Sequence, residues 1–341
     1  FTVAPSFDLH PANGVTVLDL IKIKRFILGL DTDNSPYTQI AADVNKSGTV
    51  TGFDIIELRK LILGINTEFT NNTAWRFVDA NFVFPNPNNP FQTAFPESIA
   101  VTNAVAGANY EASFKAIKIG DLDCDAWPGL QTPNQDRGLP KQTLTLPDVV
   151  MQAGETTQLS LQMKESGDWS GMQLGLQFDP GKVEILEISG GAVQGLDASA
   201  FHQAMPGALH FVWASEQAER FEAGKTLFTI HIRAIEALKV SEVFQTSTNF
   251  ENIGSLSAVP QTLALEFRAD KNATALETSV IFAPQPNPTS EGSSIPVWLS
   301  QAEKVRVEIS DLSGKILLVN ELQLVSGSHT IQIAPQSMPQ A

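Results

Sequence analysis

The chain has 341 residues, enough for two or three domains, and its content of 43% hydrophobic and 17% charged residues is that of a globular protein. Its net charge of −15 argues against a nucleic-acid-binding surface, which needs clustered Lys and Arg. A single cysteine excludes an intrachain disulfide, and since no apolar run reaches about 18 residues we expect no transmembrane helix.

An internal repeat opens the chain. The stretch DLHPANGVTVLD at 8–19 aligns without a gap with DVNKSGTVTGFD at 43–54. The segments that follow, LDLIKIKRFILGL at 18–30 and FDIIELRKLILGI at 53–65, also align. Each has apolar residues at helical spacing and reaches a glycine that can adopt the left-handed conformation of a helix C-cap. The sequence therefore predicts two units of loop plus helix.

The second loop carries oxygen atoms where an EF-hand loop binds calcium. With Asp43 as position 1, side-chain oxygens stand at positions 3, 5, 9 and 12, a carbonyl stands at position 7, and a glycine at position 6 permits the sharp turn. The alternative is an Asp/Asn-rich turn that only caps a helix. The predicted calcium ligands are Asp43, Asn45, Ser47, Thr49, Thr51 and Asp54.

The first loop keeps fewer of these oxygens. His10 stands at position 3 and Ala12 at position 5, while the Asn at position 6 tolerates the positive φ that the turn requires. The alternative is a loop that capping and packing alone hold in place. The predicted calcium ligands are Asp8, Asn13, Thr16 and Asp19.

The paired units resemble type I dockerin domains over residues 6–65. The resemblance rests on the Asp at position 12 of each loop and on a basic pair in each following helix. It departs at loop positions 10 and 11, where dockerins often carry Ser and Thr that contact the cohesin partner and where this chain has Val17–Leu18 and Gly52–Phe53. Because exposed apolar residues would be adhesive, we expect the protein itself to cover at least one of these faces. The partner-binding residues that the resemblance implies are Val17, Leu18, Lys24, Arg25, Phe53, Arg59 and Lys60.

An aromatic-rich segment follows at 66–126. Its passages WRFVDANFVFPNPNNPF and EASFKAIKIGDLDCDA resemble an extension that follows dockerin-like repeats in large surface proteins of the Bacteroidota. We expect its aromatic side chains to be buried against the two helices. Near its end, Asp121, Asp123 and Asp125 alternate, which would let their carboxylates converge on a calcium ion in a turn. The alternative is a solvated acidic turn.

The middle of the chain is predicted to form strands. MQLGLQF at 172–178 and TLFTIHIRA at 226–234 alternate apolar with other residues, and Gly, Pro and Asp turns separate further strands. This pattern predicts an antiparallel β-sandwich or jelly roll. GMQLGLQFDPGKVEILEI, LHFVWAS and GKTLFTIHIRA, in this order, resemble a cohesin domain. His231 alternates with the apolar residues of its strand and is expected to face solvent.

The end of the chain resembles the C-terminal sorting domain of the type IX secretion system, a small Ig-like β-sandwich. The resemblance rests on PQPNPTSEGSSIPVWLS, KVRVEISDLSGKILL and HTIQIAP. It implies export and attachment at the cell surface. The last strand of that family is expected to be missing here.

No catalytic motif appears in the sequence. The five histidines are scattered, and the metalloprotease, nucleophile-elbow and phosphate-loop patterns are absent. We therefore expect no enzyme, although a glycosidase carboxylate pair stays open as an alternative.

The predicted fold is a mixed multidomain chain with a small α unit of EF-hand-type calcium loops and two all-β sandwiches. The predicted parts are calcium-binding repeats with their extension at 1–127, a linker at 128–142, a cohesin-like sandwich at 143–270, a linker at 271–280 and a sorting sandwich at 281–341.

The resemblances together imply the C-terminal part of a larger, calcium-stabilised, secreted structural or adhesion protein at the cell surface. Its expected partners are other surface proteins, copies of itself and the type IX secretion machinery, and carbohydrate stays open as a ligand. Two alternatives remain. One is a self-assembling filament or scaffold subunit, and the other is an accessory region of a polysaccharide-degrading enzyme or complex.

Overall fold

A computed structural model describes most of the chain. The described residues are 1–31, 35–105, 107–127, 138–191, 193, 196–269, 279–281, 293–299, 301–310 and 314–333. The two predicted linkers lie largely outside them. The last two residues predicted for the first linker, Lys141 and Gln142, instead begin a strand.

The described residues form four α-helices and twenty-one strands, with two 3₁₀ turns at Pro90–Gln92 and Ala198–Ala200. The helices are α1 (Val17–Ile27), α2 (Pro36–Ala42), α3 (Gly52–Leu63) and α4 (Val240–Val243). The strands are β1 (Thr2–Val3), β2 (Trp75–Asp79), β3 (Ile99–Ala100), β4 (Phe114–Lys118), β5 (Lys141–Asp148), β6 (Val150–Met151), β7 (Thr156–Met163), β8 (Gly167–Gln177), β9 (Val183–Gly190), β10 (Phe201–Met205), β11 (Ala208–Phe221), β12 (Thr226–Ala234), β13 (Leu238–Lys239), β14 (Gln245–Thr246), β15 (Ile253–Leu256), β16 (Val259–Ala269), β17 (Val280–Ile281), β18 (Ser293–Leu299), β19 (Glu303–Ser310), β20 (Ile316–Leu324) and β21 (Gly327–Ile333). None of the described helices is long and apolar enough to cross a membrane.

The two helices of the repeat form where the sequence predicts them. Thr16 and Thr51 are the N-caps of α1 and α3, and in each helix an Asp three residues later accepts a hydrogen bond from the N-cap N–H, which completes a capping box. Shortly after each helix a glycine has positive φ, 67° at Gly29 and 79° at Gly64. The loop-plus-helix prediction is confirmed.

A further helix, α2, lies between the two repeats and was not predicted. Its signal is short: Ser35 is the N-cap and accepts a hydrogen bond from Thr38 N–H, and Pro36 is the first helical residue. Its apolar face joins the aromatic extension. The cluster there consists of Ile40, Ala41, Val78, Phe84, Ile117 and Ile119, with Tyr37, Phe69, Phe82, Phe91 and Phe95 at its border. The extension therefore packs chiefly against α2 and not against the two repeat helices as expected, and of its aromatic side chains in this cluster Phe84 is buried while Phe82, Phe91 and Phe95 are half-buried.

The middle of the chain forms one long sheet whose two arms pack on each other. The strand order is β10-β11-β8-β15-β16-β5-β7-β12-β9, with β14 paired to β8. All these pairs are antiparallel except β5 with β16. Alternate residues of both arms, such as Leu174, Trp213 and Phe228, fill a single core. The predicted sandwich is confirmed at the level of an all-β unit.

The outer face of β8 and β11 is covered too. Helix α1 contacts β8, β11 and β15, and α3 contacts β10 and β11. Val212, Ala214 and Ile253 of the sheet share a cluster with Leu20 and Leu61 of the helices. The α unit and the sandwich therefore have a continuous apolar seam, which strand alternation alone does not reveal.

His231 corrects one sequence expectation. It is only 8% exposed, because β12 is a central strand between β7 and β9, and its Nε2 lies 3.0 Å from the Ser189 hydroxyl. Facing away from the apolar core did not mean facing solvent, since polar side chains of the flanking strands cover this position. Burial lowers the pKa of His231.

The described C-terminal strands form two small sheets, β17-β18-β21 and β19-β20. Their shared cluster contains Val297, Leu299 and Ile331, with Val305 and Leu322 among the residues packed against it. This arrangement agrees with a small β unit. Residues 334–341 lie outside the described residues.

Candidate functional site

Hydrogen bonds within the second loop involve all six of its predicted ligands. The Oδ1 atom of Asp43 accepts a hydrogen bond from Ser47 N–H at 2.8 Å, and its Oδ2 atom accepts one from Gly48 N–H at 2.9 Å. Asp54 is fully buried, and its Oδ1 accepts from Asn45 N–H at 3.1 Å. Gly48 has φ +79°, as the turn requires. The carboxylates of positions 1 and 12 and the glycine of position 6 are thus held in one compact loop, and calcium binding by this loop stays a prediction.

The other predicted oxygens of this loop lie close by. The Ser47 hydroxyl is 3.0 Å from the Thr49 carbonyl oxygen and 3.4 Å from Asp43 Oδ1. The Thr51 hydroxyl accepts from Phe53 N–H and acts as the N-cap. Burial raises the pKa of Asp43 even though the Gly48 and Ser47 amides lower it, and Asp54 raises it further. A bound cation would offset that cost of burying negative charge.

The first loop uses its predicted ligands differently. Asp8 is exposed, and its Oδ1 accepts from Ala74 N–H at 2.6 Å. The Asn13 side chain pairs with the main chain of Trp127 through bonds of 2.6 and 3.4 Å. Thr16 caps α1, and Asp19 is fully buried. Hence Asp8 and Asn13 form hydrogen bonds with distant segments of the chain, while Thr16 and Asp19 complete the capping box of α1.

Asp19 instead meets the acidic turn of the extension. Ligand atoms of Asp19, Asp121 and Asp123 all lie within 4.8 Å of one another. Asp121 is 6% exposed, and Asp123 Oδ1 is buried without a hydrogen-bond partner. The solvated-turn alternative for these aspartates therefore does not describe them.

The electrostatic consequence is a concentration of buried negative charge. Burial, reinforced by Asp125 and Asp121, raises the pKa of Asp123 to about 7. Burial and Asp123 raise the pKa of Asp19. Burial lowers the pKa of Lys118 to about 8, although nearby carboxylates oppose this, and its ammonium donates to the carbonyls of Pro11 and Ile119.

Three of the implied partner-binding residues of the first repeat, Val17, Leu18 and Lys24, are buried in or bonded across the contact with the sandwich of their own chain. Val17 is fully buried and its N–H donates to Gln173 Oε1 at 2.7 Å, while Lys24 Nζ donates to the Ala214 carbonyl at 2.7 Å. Leu18 is 8% exposed. A Cβ at Gly171 would lie 2.9 Å from the Ile21 side chain, so the glycine allows the helix to approach this closely. The expectation that the protein covers one face is met here.

The second repeat contributes its C-terminal end to the same seam. The Leu63 carbonyl lies 2.9 Å from His210 Nδ1. Arg59 and Lys24 line a cavity of about 490 Å³ at the seam, beside Glu216 and Glu219 of the sheet. Both repeats therefore contribute to the docked surface.

The remaining predicted contact residues are more exposed. Phe53 is 70% exposed, and Lys60 pairs with Glu57 while Arg25 pairs with Asp31. The two repeats therefore differ at loop positions 10 and 11, where Val17 and Leu18 are buried and Phe53 is exposed. Their basic pairs behave alike, since Lys24 and Arg59 line the seam cavity while Arg25 and Lys60 form ion pairs outside it.

Sequence reasoning missed the sandwich side of the seam. Gly171, Gln173 and Gly175 stand on the face of β8 opposite its core residues, and Gln173 is only 2% exposed. In the sequence, two glycines alternating with one glutamine only weakly indicate that another part of the chain covers this face of β8. Gln173 Nε2 also donates to the Glu251 carbonyl, which fixes the amide toward Val17.

His210 makes the seam sensitive to pH. Burial lowers its pKa from the ordinary 6.5, the Leu63 carbonyl raises it, and the charge of His202 lowers it. The unfolded chain then binds more protons below about pH 6.5, so stability falls as the pH drops from 7 to 5.5. We expect a smaller loss in the variant His210→Gln. Urea unfolding at both pH values in saturating calcium checks this, and equal losses in both proteins would contradict it.

Comparisons with known proteins agree with part of this description. Residues 8–81 match the family model of the dockerin type I domain. No curated protein matches the chain. Among solved structures, the chain is similar to the seventh ScaB type I cohesin of Pseudobacteroides cellulosolvens, with 10% identity over 40% of this chain and 97% of that one and a TM-score of 0.32.

Two further structures show the same kind of likeness. One is a chain of the Coh-OlpA–Doc918 cohesin–dockerin complex of Clostridium thermocellum, with 9% identity, coverage of 38% and 99%, and a TM-score of 0.30. The other is a type II cohesin from the cellulosome of Acetivibrio cellulolyticus, with 14% identity, coverage of 36% and 92%, and a TM-score of 0.26.

Proposed function

We propose that this dockerin-bearing chain is a non-catalytic, calcium-stabilised structural module of an exported cell-surface protein, in which the dockerin unit is docked on the sandwich of its own chain. The expected export by type IX secretion rests on the C-terminal resemblance. An adhesive or scaffolding role agrees with a preformed, rigid pair of units. The dockerin unit then binds within its own chain and holds the helical unit against the sandwich.

The observation that carries the proposal is the seam between the helices and the outer face of β8 and β11. It combines a shared apolar cluster with three polar contacts, from Val17 N–H to Gln173, from Lys24 to Ala214 and between Leu63 and His210. Buried polar groups that find partners only across a seam favour the docked state, because separation would leave Gln173 and the Leu63 carbonyl without those partners.

Calcium is the cofactor that the donor set fits. The second loop offers only oxygens, from carboxylates, an amide, hydroxyls and a carbonyl, as a hard cation prefers. The orphaned Oδ1 of Asp123 and the buried carboxylates of Asp19 and Asp121 make a second oxygen-rich position. Bound calcium would neutralise this charge and hold the loops against the helices.

Cutting the chain tests the docking. A protease site inserted within 128–137 would separate residues 1–127 from the sandwich. We expect the two fragments to elute together from a size-exclusion column in calcium, because the seam and not the connecting chain holds them. An uncut sample is the control. Fragments that elute separately in calcium would overturn the proposal.

Self-assembly is the second candidate function, and the exposure of Phe53 and Ile56, 70% and 50%, favours it. These residues are the repeat equivalents of Leu18 and Ile21, which are buried in the seam. A second chain that covered them would raise the apparent mass of the uncut protein on the same column.

A further inference from the structure

We propose that the first calcium site of this chain is a split loop. Its first half is the acidic turn of the extension, Asp121 to Asp125. Its second half is the last part of the first repeat's loop, Gly14 to Asp19. The inference rests on the proposed calcium binding and changes which residues hold the first ion. The gapless repeat assigns that role to Asp8, and the structure assigns it to a segment more than a hundred residues away.

The hydrogen bonds of Asp121 reproduce those of Asp43 at position 1. Asp43 accepts from the N–H groups four and five residues later, one on each carboxylate oxygen. Asp121 shares both bonds, with Oδ1 accepting from Asp125 N–H at 3.3 Å and Oδ2 accepting from Ala126 N–H at 3.0 Å, and its Oδ1 also accepts a shorter bond from Cys124 N–H at 2.7 Å. Asp123 and Asp125 then stand at positions 3 and 5, where the second loop has Asn45 and Ser47.

The intervening residues agree as well. Position 2 is a buried apolar residue in both loops, Val44 with 1% and Leu122 with 7% exposure. Position 4 has positive φ in both, 58° at Lys46 and 62° at Cys124. Positive φ is uncommon outside glycine, so its recurrence at the same position indicates the same turn.

The second half of the site comes from the first repeat. Asp19 closes it as Asp54 closes the intact loop, since each accepts from its N-cap N–H at 2.8 Å and from a main-chain N–H near the start of the acidic half. That donor is Asn45 N–H for Asp54 and, one position earlier, Leu122 N–H for Asp19. The closing carboxylate therefore bonds to the extension and not to its own loop.

The two halves meet at a close contact. A Cβ on Gly14, which has φ +69°, would lie 2.5 Å from Ala126 Cα, so only glycine fits at this junction. Gly14 stands at position 7 by the repeat and Ala126 at position 6 when counted from Asp121, so they are successive positions of the proposed loop, although Ala126 does not share the positive φ of Gly48. Asn13 ties the junction by pairing with the Trp127 main chain.

The three carboxylates at this position form an oxygen set that could bind a cation. Asp19 and Asp121 are more than nine-tenths buried, and Asp123 Oδ1 is enclosed with no donor. Two ammonium groups lie nearby, but both donate to main-chain carbonyls: Lys22 to that of Leu122, and the buried Lys118 to those of Pro11 and Ile119. A bound cation would stabilise carboxylates that lie within 4.8 Å of one another and are largely removed from water. Calcium takes such an oxygen set.

Calcium stoichiometry of the full chain tests the inference. Equilibrium dialysis followed by metal analysis should give about two ions per chain for the natural protein. Asp123→Asn and Asp121→Asn should each bind about one, because they remove charge from the split site and leave the second loop intact. Asp8→Asn is the matched control and should keep both ions.

Asp43→Asn separates this inference from the proposed calcium binding. Loss of one ion in Asp43→Asn, with none lost in Asp123→Asn, would overturn the split loop and leave calcium binding at the second loop. Loss of an ion in Asp8→Asn would support the contiguous first loop and would also overturn the split loop.

Circular dichroism of each variant in calcium tests whether the helices persist. If Asp123→Asn loses them, terbium luminescence excited through tryptophan in Trp127→Phe provides the second measurement. The emission from the first site should then fall, because Trp127 adjoins Ala126, and unchanged emission would contradict the inference.

Discussion

Chelation with EDTA is expected to lower the melting temperature of this chain by at least about 10 °C. A ligand that binds only the folded state contributes about 4 kcal/mol at a thousandfold excess over its Kd, and for a unit of this size each kcal/mol corresponds to about 2–4 °C. The loss should be large because both loops lead into the helices that form the seam: Asp19 and Asp54 complete the capping boxes of α1 and α3. Differential scanning calorimetry with and without EDTA measures it.

The control for chelation is restoration. Excess calcium added after EDTA should return the melting temperature, whereas magnesium at the same concentration should restore less, because it demands a smaller octahedral site. A melting temperature that EDTA leaves unchanged would refute calcium stabilisation at both loops. The sandwich core contains none of these ligands, so we expect any second, sandwich-specific transition to move little.

Replacing Ile21 by Asp should destabilise the docked chain by about 3 kcal/mol or more. Ile21 is 8% exposed, belongs to the cluster that includes Val212 and Ala214, and lies against Gly171. A carboxylate there would be removed from water without a partner. The cut chain of this variant should therefore separate into two fragments on the column.

The repeat supplies a matched control for this substitution. Ile56 is the equivalent residue of α3 and is 50% exposed, so Ile56→Asp should change stability by no more than about 0.5 kcal/mol and leave the fragments together. Urea unfolding of both variants measures the difference. Equal effects would show that the first repeat is not the docked one.

Much of the fold could be predicted because local signals and burial agree. Thr16 and Thr51 with their Asp residues define two helix starts, and the alternation of Met172, Leu174 and Leu176 defines a core-facing strand. The family model over residues 8–81 confirms the dockerin repeat. In these segments each residue's own propensity and its neighbours point to the same structure.

The candidate site was less predictable because its parts come from distant segments. Asp121, Asp123 and Asp125 were recognised as a candidate metal turn, and Asp19 as a loop-closing residue. Nothing in one sequence says that these two sets meet, since the contact depends on the extension folding back over α1. Likewise, Gln173 and His210 form hydrogen bonds across the seam. Periodicity within a strand assigns a residue to one face of the sheet but does not say which distant segment covers that face.

The meeting of Asp19 with the 121–125 turn closes a stretch of about 100 residues into a ring. In a chain that has one cysteine, an ion held jointly by both ends would do the work of a cross-link, and closing a loop of that length is worth about 4–5 kcal/mol in the unfolded state. Unlike a disulfide, such a link opens and closes with the surrounding ion concentration and needs no oxidant. A force applied to the N-terminus would have to dissociate the ion before the extension could separate from α1. The force needed to unfold this segment would then depend on the calcium concentration around the protein.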